Sequence, residues 1–324
     1  MRGRIFRAGI ILLFISGAPS IAASPDPWKV SGPEECEECH DVETGIWEET
    51  HHSMTYESMP DSDDGVSIGE KLGLDDVIEA ELCQTCHLTL QSEAQDEPGE
   101  VIAGVSCESC HSASADWIEV HSEEDKTPEQ EISLWAESEA AGMIRPGNVY
   151  AFAMNCLGCH LVPQEKLVNT GGHAAGSDFN LVTWSQGEIR HNTFQSAENN
   201  EASPERKRLM AVLGVAAELE VGLRAIGKVN DNSGEYAQAL VERLQNAKTS
   251  LSEMANASGS AKVKAIYAAV AGIEIKLPMD QAKAKGAVAA IASSAAALSA
   301  DGDDLSALDA MIKSFGEYRG EAQL

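Results

Sequence analysis

Four short runs constrain this chain more than anything else in it: Cys36-Glu-Glu-Cys39-His40, Cys83-Gln-Thr-Cys86-His87, Cys107-Glu-Ser-Cys110-His111 and Cys156-Leu-Gly-Cys159-His160. Each reads C-x-x-C-H, and together they use all 8 cysteines. This is the c-type haem attachment pattern. Two thiols three residues apart reach the two vinyl groups of one porphyrin as thioethers, and the next histidine lies under the iron as its proximal ligand. Pairs of C-x-x-C units also build zinc sites, and one such unit can be a redox disulfide. Neither needs a histidine directly after every second cysteine. With 9 histidines in 324 residues, chance places one there in all four runs about once in a million. The sequence therefore predicts four covalently bound haems, tethered by Cys36, Cys39, Cys83, Cys86, Cys107, Cys110, Cys156 and Cys159. His40, His87, His111 and His160 would hold the irons.

Compartment follows from the first residues. Arg2, Arg4 and Arg7 precede an apolar stretch from Ala8 to Ser16, with small residues Ala22 and Ala23 before Ser24. This reads as a secretory signal peptide over residues 1–23, with an uncleaved anchor as the alternative. Export to the periplasm agrees with c-type haem, which is attached outside the bacterial inner membrane. No later apolar run approaches the ~18 residues of a membrane span. The mature chain is expected to carry no transmembrane segment.

Charge divides the chain in two. Residues 24–200 hold 36 Asp and Glu against 6 Lys and Arg, whereas residues 201–324 hold 16 against 14. The acidic half repels nucleic acid and steers toward a redox protein with a basic docking surface. Solubility alone is the plainer use of such charge. The acidic half is also poor in long apolar runs, so its core would be thin. Four large flat porphyrins would fill it.

The domain reading is a tetrahaem unit over residues 24–197 and a helical bundle over 203–324. The whole is a mainly α chain, irregular and haem-packed in its first part. A short helix is predicted around residues 45–54, with Trp47 against a porphyrin. Residues 60–76 and 91–100 read as acidic loops, 75–87 and 129–141 as helices, and Arg145-Pro146-Gly147 as a break. Glu123 to Glu131 reads as acidic and irregular, and Gln195 to Pro204 as a polar linker. Ser203-Pro204 then marks a helix start, an N-cap followed by proline in the first turn. Apolar residues recur at helical spacing from Leu209 to Ile226, Tyr236 to Met254 and Val263 to Ile273, and again from Leu305 to Phe315. This is an up-and-down bundle of four or five helices. It has no cysteine and no histidine, so it reads as a docking or spacing module.

The sixth position on each iron decides function. A second imidazole makes the iron an electron carrier, while an open position binds small ligands. Five histidines lie outside the motifs: His51, His52, His121, His173 and His191. His52, His121, His173 and His191 are the candidate axial ligands, and His51 reads as a surface or hydrogen-bonding residue. Met54, Met59, Met143 and Met154 could also ligate, but packing is their commoner use.

The pattern resembles the tetrahaem cytochrome c-554 family of nitrifying bacteria. The likeness lies in the motif gaps of 47, 24 and 49 residues and in Trp47 with Thr50-His51-His52. It extends to Ser106 to His111 with Trp117 and His121, to Gly172-His173 with Gly176 and Phe179, and to Gly187 through Asn192. It covers about residues 30–195 and leaves out the C-terminal helices. The resemblance implies a mostly helical fold with haems in close pairs. It implies three bis-histidine haems and an open, five-coordinate second haem on His87. It further implies that His121 serves the first haem, His52 the third, and His191 or His173 the fourth. Two functions follow. One is electron carriage between redox partners, which is preferred. The other is redox chemistry on nitric oxide, nitrite or hydroxylamine at an open haem, for which no catalytic side chain is assigned.

Overall fold

The computed structural model describes residues 24–123, 126–194, 198–313 and 315–323. The signal peptide predicted over 1–23 and the first part of the linker, 195–197, lie outside them. The chain is mainly α-helical, with one small antiparallel hairpin. Among the described residues, no helix is long and apolar enough to cross a membrane.

The first half is a succession of short elements: α1 (Pro33–Glu37), α2 (Asp41–Glu48), α3 (Asp63–Leu72), α4 (Glu81–His87), β1 (Thr89–Gln91), β2 (Glu100–Ala103), α5 (Cys107–His111) and α6 (Pro128–Ala140). Helix α3 corrects the loop expected over residues 60–76. Ser62 caps it by accepting from the Gly65 amide at 3.0 Å, and Gly73, at φ 68°, ends it. Asp63 and Asp64 suit the positive end of the helix dipole. Of the three glycines in this stretch, Gly65 and Gly69 are packing residues within the helix. A Cβ on Gly65 would run into the Met59 carbonyl. Helix α4 starts at Glu81 rather than at Asp75, after an irregular approach. The hairpin flanks the acidic 91–100 segment. Helix α6 carries a capping box between Thr127 and Gln130, with Pro128 in its first turn.

Then the pattern changes. Helix α7 (Val149–His160), capped by Asn148, is followed by a π turn (Leu167–Gly171) and α8 (Leu181–Ser185). Four long helices complete the chain: α9 (Pro204–Ile226), α10 (Glu235–Ser258), α11 (Ala261–Ala271) and α12 (Gln281–Asp301). Ser203 caps α9 by accepting from the Arg206 amide at 3.3 Å. Helix α9 is the axis of the packing, touching α7, α10 and α12. Gly222 lets α10 approach closely, since a Cβ there would strike Leu244. Beyond α12 the expected helical run does not continue. Asp304 accepts from the Ser306 amide at 3.0 Å and starts a short 3-10 turn, Ser306–Met311. Leu305 and Leu308 of this segment are buried.

One hydrophobic cluster runs from Val149 to Leu308. It includes the helix that carries the fourth motif, so α7 belongs to the packing of the long helices. Before residue 149 the buried apolar side chains are few: Val30, Ile46, Cys83, Leu88, Ala103 and Trp117. Among the described residues, the large exposed apolar side chains, including Trp28, Val42, Met54, Ile102 and Phe194, precede the long helices.

A polar link ties α7 to α9. The Tyr150 hydroxyl donates to Glu220, which is fully buried, and Arg224 Nη2 lies 2.6 Å from the other Glu220 oxygen. Burial and then the Glu220 charge push the Tyr150 phenol upward. Removing one partner of a buried pair leaves an uncompensated charge. Arg224→Ala is therefore expected to destabilise the protein by about 3 kcal/mol, read from the denaturant midpoint, with Tyr150→Phe costing less.

Candidate haem-binding centre

A helix sets residues i, i+3 and i+4 on one face. C-x-x-C-H on a helix therefore points both thiols and the imidazole the same way. Three motifs use this directly, with His87, His111 and His160 as the last residues of α4, α5 and α7. In the first motif, Cys36 lies on α1 and His40 directly precedes α2. All eight thiols are unbridged. The motifs sit against one another in a definite order. The Cys36 and Cys107 thiols are neighbours, and Cys107 pushes the Cys36 thiol up, which brings the first motif against the third. Asn155 Nδ2 donates to the Ser109 and Cys110 carbonyls at 2.8 and 3.2 Å, joining the third to the fourth. The Cys86 and Cys159 thiols are neighbours as well, and Cys159 pushes the Cys86 thiol up, which brings the fourth motif against the second.

Each motif histidine faces one of the other histidines. The ring centres of His40 and His121 are 6.1 Å apart, those of His52 and His160 6.0 Å, His87 and His173 6.4 Å, and His111 and His191 6.3 Å. An imidazole nitrogen binds a metal ion such as zinc at about 2.0 Å, and the ring centre lies about 1.2 Å behind it. Two imidazoles on opposite sides of one ion thus have centres about 6.4 Å apart. All four pairs match that width.

The pairing departs from what the resemblance implies. His52 faces His160 rather than His111, and His111 faces His191. His173 faces His87, the position that the resemblance leaves open. The ninth histidine, His51, is exposed and lies 2.8 Å from Glu188.

The rings are held from behind. Nδ1–H of His111, His173 and His191 donates to the carbonyls of Ile144, Ala174 and Ile189 at 2.9, 2.9 and 2.7 Å. His160 donates to Ser177 Oγ at 3.1 Å, and His40 Nδ1 lies 3.5 Å from Glu43. Such bonds fix the tautomer, leaving Nε2 free as a ligand. Burial pulls His87, His111 and His160 down to about 4. Near pH 7 they are neutral, the form that binds a metal ion.

The surroundings fit a porphyrin. Among the described residues, three buried polar atoms have no hydrogen-bond partner: Trp117 Nε1, His121 Nδ1 and Arg190 Nε. All lie in the motif region, Trp117 beside the His121 ring and Arg190 next to His191. Buried donors of this kind call for an acceptor, and haem carries two carboxylates. The thin core and exposed apolar residues of the same region suit a large flat apolar body. Among the described residues, no three of His, Cys, Asp and Glu group as a metal-binding set.

Some contributions escape sequence reasoning. Glu108, inside the third motif, is 1% exposed and accepts from the amides of Ser31, Gly32 and Ser114 at 3.1, 2.8 and 2.7 Å. It bolts the segment before the first motif onto the third. In a chain this acidic, nothing local distinguishes it from Glu37 or Glu38. Trp47 is anchored through Nε1, which donates to the Val105 carbonyl at 2.8 Å. Met154 is buried in the main cluster.

Residues 35–112, which contain the first three motifs, match the family model described as cytochrome c554 and c-prime. No curated protein and no solved structure matches the chain. The match makes covalent c-type haem binding and electron transfer the general chemistry here.

Removing the Glu108 carboxylate strands three buried amide donors. Glu108→Ala is expected to cost about 3 kcal/mol and to lower the haem-to-protein ratio of purified material. An unchanged unfolding curve and haem content would show that the carboxylate is dispensable.

Proposed function

We propose that the chain is an exported, periplasmic electron carrier with four c-type haems, each held between two imidazoles. One observation carries the reading: every C-x-x-C-H histidine faces a second ring at the separation that one metal ion requires. When bound, each haem supplies an iron that accepts and returns one electron. The chain's own residues do the rest. Cys36, Cys39, Cys83, Cys86, Cys107, Cys110, Cys156 and Cys159 provide the tethers. His40 with His121, His87 with His173, His111 with His191, and His160 with His52 would hold the four irons. An iron held by two imidazoles would serve electron transfer and leave no room for a small ligand. The neighbouring thiols of the first and third and of the fourth and second motifs, with Asn155 between the third and fourth, support the order first, third, fourth, second, a continuous route between two ends. The acidic surface over residues 24–200 favours a basic redox partner. The second reading, reduction of a nitrogen oxide, needs one axial position free, and the ring opposite His87 argues against it.

The proposal is tested on purified holoprotein. Mass spectrometry is expected to show four haem increments. Electron paramagnetic resonance of the oxidised protein is expected to show low-spin iron alone, and the reduced protein should not bind nitric oxide. A high-spin signal with nitric oxide binding would favour the enzymatic reading. Replacing His173 by alanine should open one position in four, giving one high-spin iron and uptake of about one nitric oxide per chain. Chain made without haem should keep the helical signal of residues 204–301 while limited proteolysis cuts before residue 149.

A further inference from the structure

The long-helix bundle lies outside the matched segment and contributes no tether or axial ligand. It nevertheless reaches the fourth motif. We propose that Arg243, on α10, is a positioning residue that sets the reduction potential at the His160–His52 site by fixing Ser177. The proposal rests on the haem-holding role just assigned to His160.

The chain of contacts is short. His160 Nδ1–H donates to Ser177 Oγ at 3.1 Å. The Ser177 hydroxyl donates to the His160 carbonyl at 3.2 Å, and the Ser177 amide donates to the same carbonyl at 3.0 Å. The hydroxyl proton is thereby committed to the backbone, and the oxygen lone pairs are left for the ring. Arg243 Nη1 donates to the Ser177 carbonyl at 2.8 Å. Arg243 is itself anchored through Nε, 2.5 Å from Glu218 Oε1 on α9. Two helices of the bundle thus clamp the residue behind the His160 ring. The preceding Gly176, at φ 91°, makes the approach possible, since a Cβ there would meet the guanidinium. Phe179 stacks on the His160 ring at 4.8 Å and Trp184 meets it edge-on at 4.7 Å, so the ring cannot turn away from Ser177.

The other rings are held differently. His111, His173 and His191 give their Nδ1–H to carbonyls of the motif region itself. The ring of His160 answers to a hydroxyl that the bundle holds in place. An acceptor at Nδ1 makes the imidazole a better electron donor and favours ferric iron, so it lowers the potential. Loosening Ser177 should therefore raise it. A fork is needed to grip Glu218 and the Ser177 carbonyl together, and arginine provides one where lysine does not. The guanidinium also borders a cleft of about 360 Å³ lined by Ser177, Phe179, Val215 and Glu218. Substitution there keeps to the edge of the packing.

The experiment is a redox titration of the full holoprotein and of Ser177→Ala, Arg243→Lys and the double variant, each with its haem count and paramagnetic spectrum. Ser177→Ala should raise one midpoint so that the reduced-to-oxidised ratio at fixed potential rises about tenfold, some 59 mV for one electron. Arg243→Lys keeps the charge and should move the same midpoint in the same direction by less, with a change in the g values of that one haem. In the Ser177→Ala background it should add nothing, because its action passes through the hydroxyl. Four haems with unmoved potentials in Arg243→Lys, or shifts that simply add, would overturn the proposal alone. A wild-type protein lacking haem would overturn the underlying reading as well.

Discussion

Four encounters between imidazole rings determine how the first half of this chain can hold together. Each joins segments far apart in sequence, His40 with His121, His52 with His160, His87 with His173 and His111 with His191. A gap of about 6 Å between ring centres gives two rings no hydrogen bond and little packing of their own. In the proposed carrier, an iron between them closes a long loop at every site. Loop closure costs entropy that grows slowly with length, and metal binding that completes a site counts directly toward folding. That explains how a region with so few buried apolar side chains can keep a defined structure. The hydrogen bonds behind the rings have the same purpose, since a ring free to rotate would lose its opposite number.

What could be read from the sequence is what is local. A C-x-x-C-H run is five residues long, and helix geometry alone turns it into a triad on one face. The long helices also announce themselves, through apolar spacing, the Ser203-Pro204 start and the left-handed Gly259 after α10. What escaped is non-local or ambiguous. The count of spare histidines allowed four closed sites without saying which ring faces which. His173 shows the difficulty: it follows a π turn and is brought to His87 by the left-handed Gly172, a geometry with no periodic signature. The glycines of α3 read as loop residues because their packing role depends on neighbours outside the helix, Met59 for Gly65 and Val77 for Gly69. Glu108 was hidden by the abundance of its own residue type.

Buried acids and surface acids do different work here. Glu108 is satisfied by three amides, Glu220 by Tyr150 and Arg224, and Glu218 by Arg243. Burial holds the Glu218 carboxyl above the usual range, with the Arg243 charge acting against it. These carboxylates fasten one segment to another. Most remaining acids of residues 24–200 have no such duty and lie on the outside. Charge of one sign over so much surface disfavours compaction by self-repulsion. Its retention is easier to understand as recognition of a basic partner than as a contribution to the fold.

The position of α7 decides what the bundle can be. One end of that helix carries the fourth motif, while Val149, Ala153, Met154 and Leu157 along it are buried in the cluster shared with α9. A spacer tethered by a linker could move without consequence for the metal sites. A bundle built onto the motif helix cannot, because displacing α9 or α10 displaces α7 or releases Ser177. In the motif order the fourth site is also internal, flanked by the third and the second. An electron travelling between the two ends would have to pass it in either direction. A partner that pressed on the bundle would therefore act on an internal site of the proposed route, which gives the long helices a reason to be packed there instead of hung at an end.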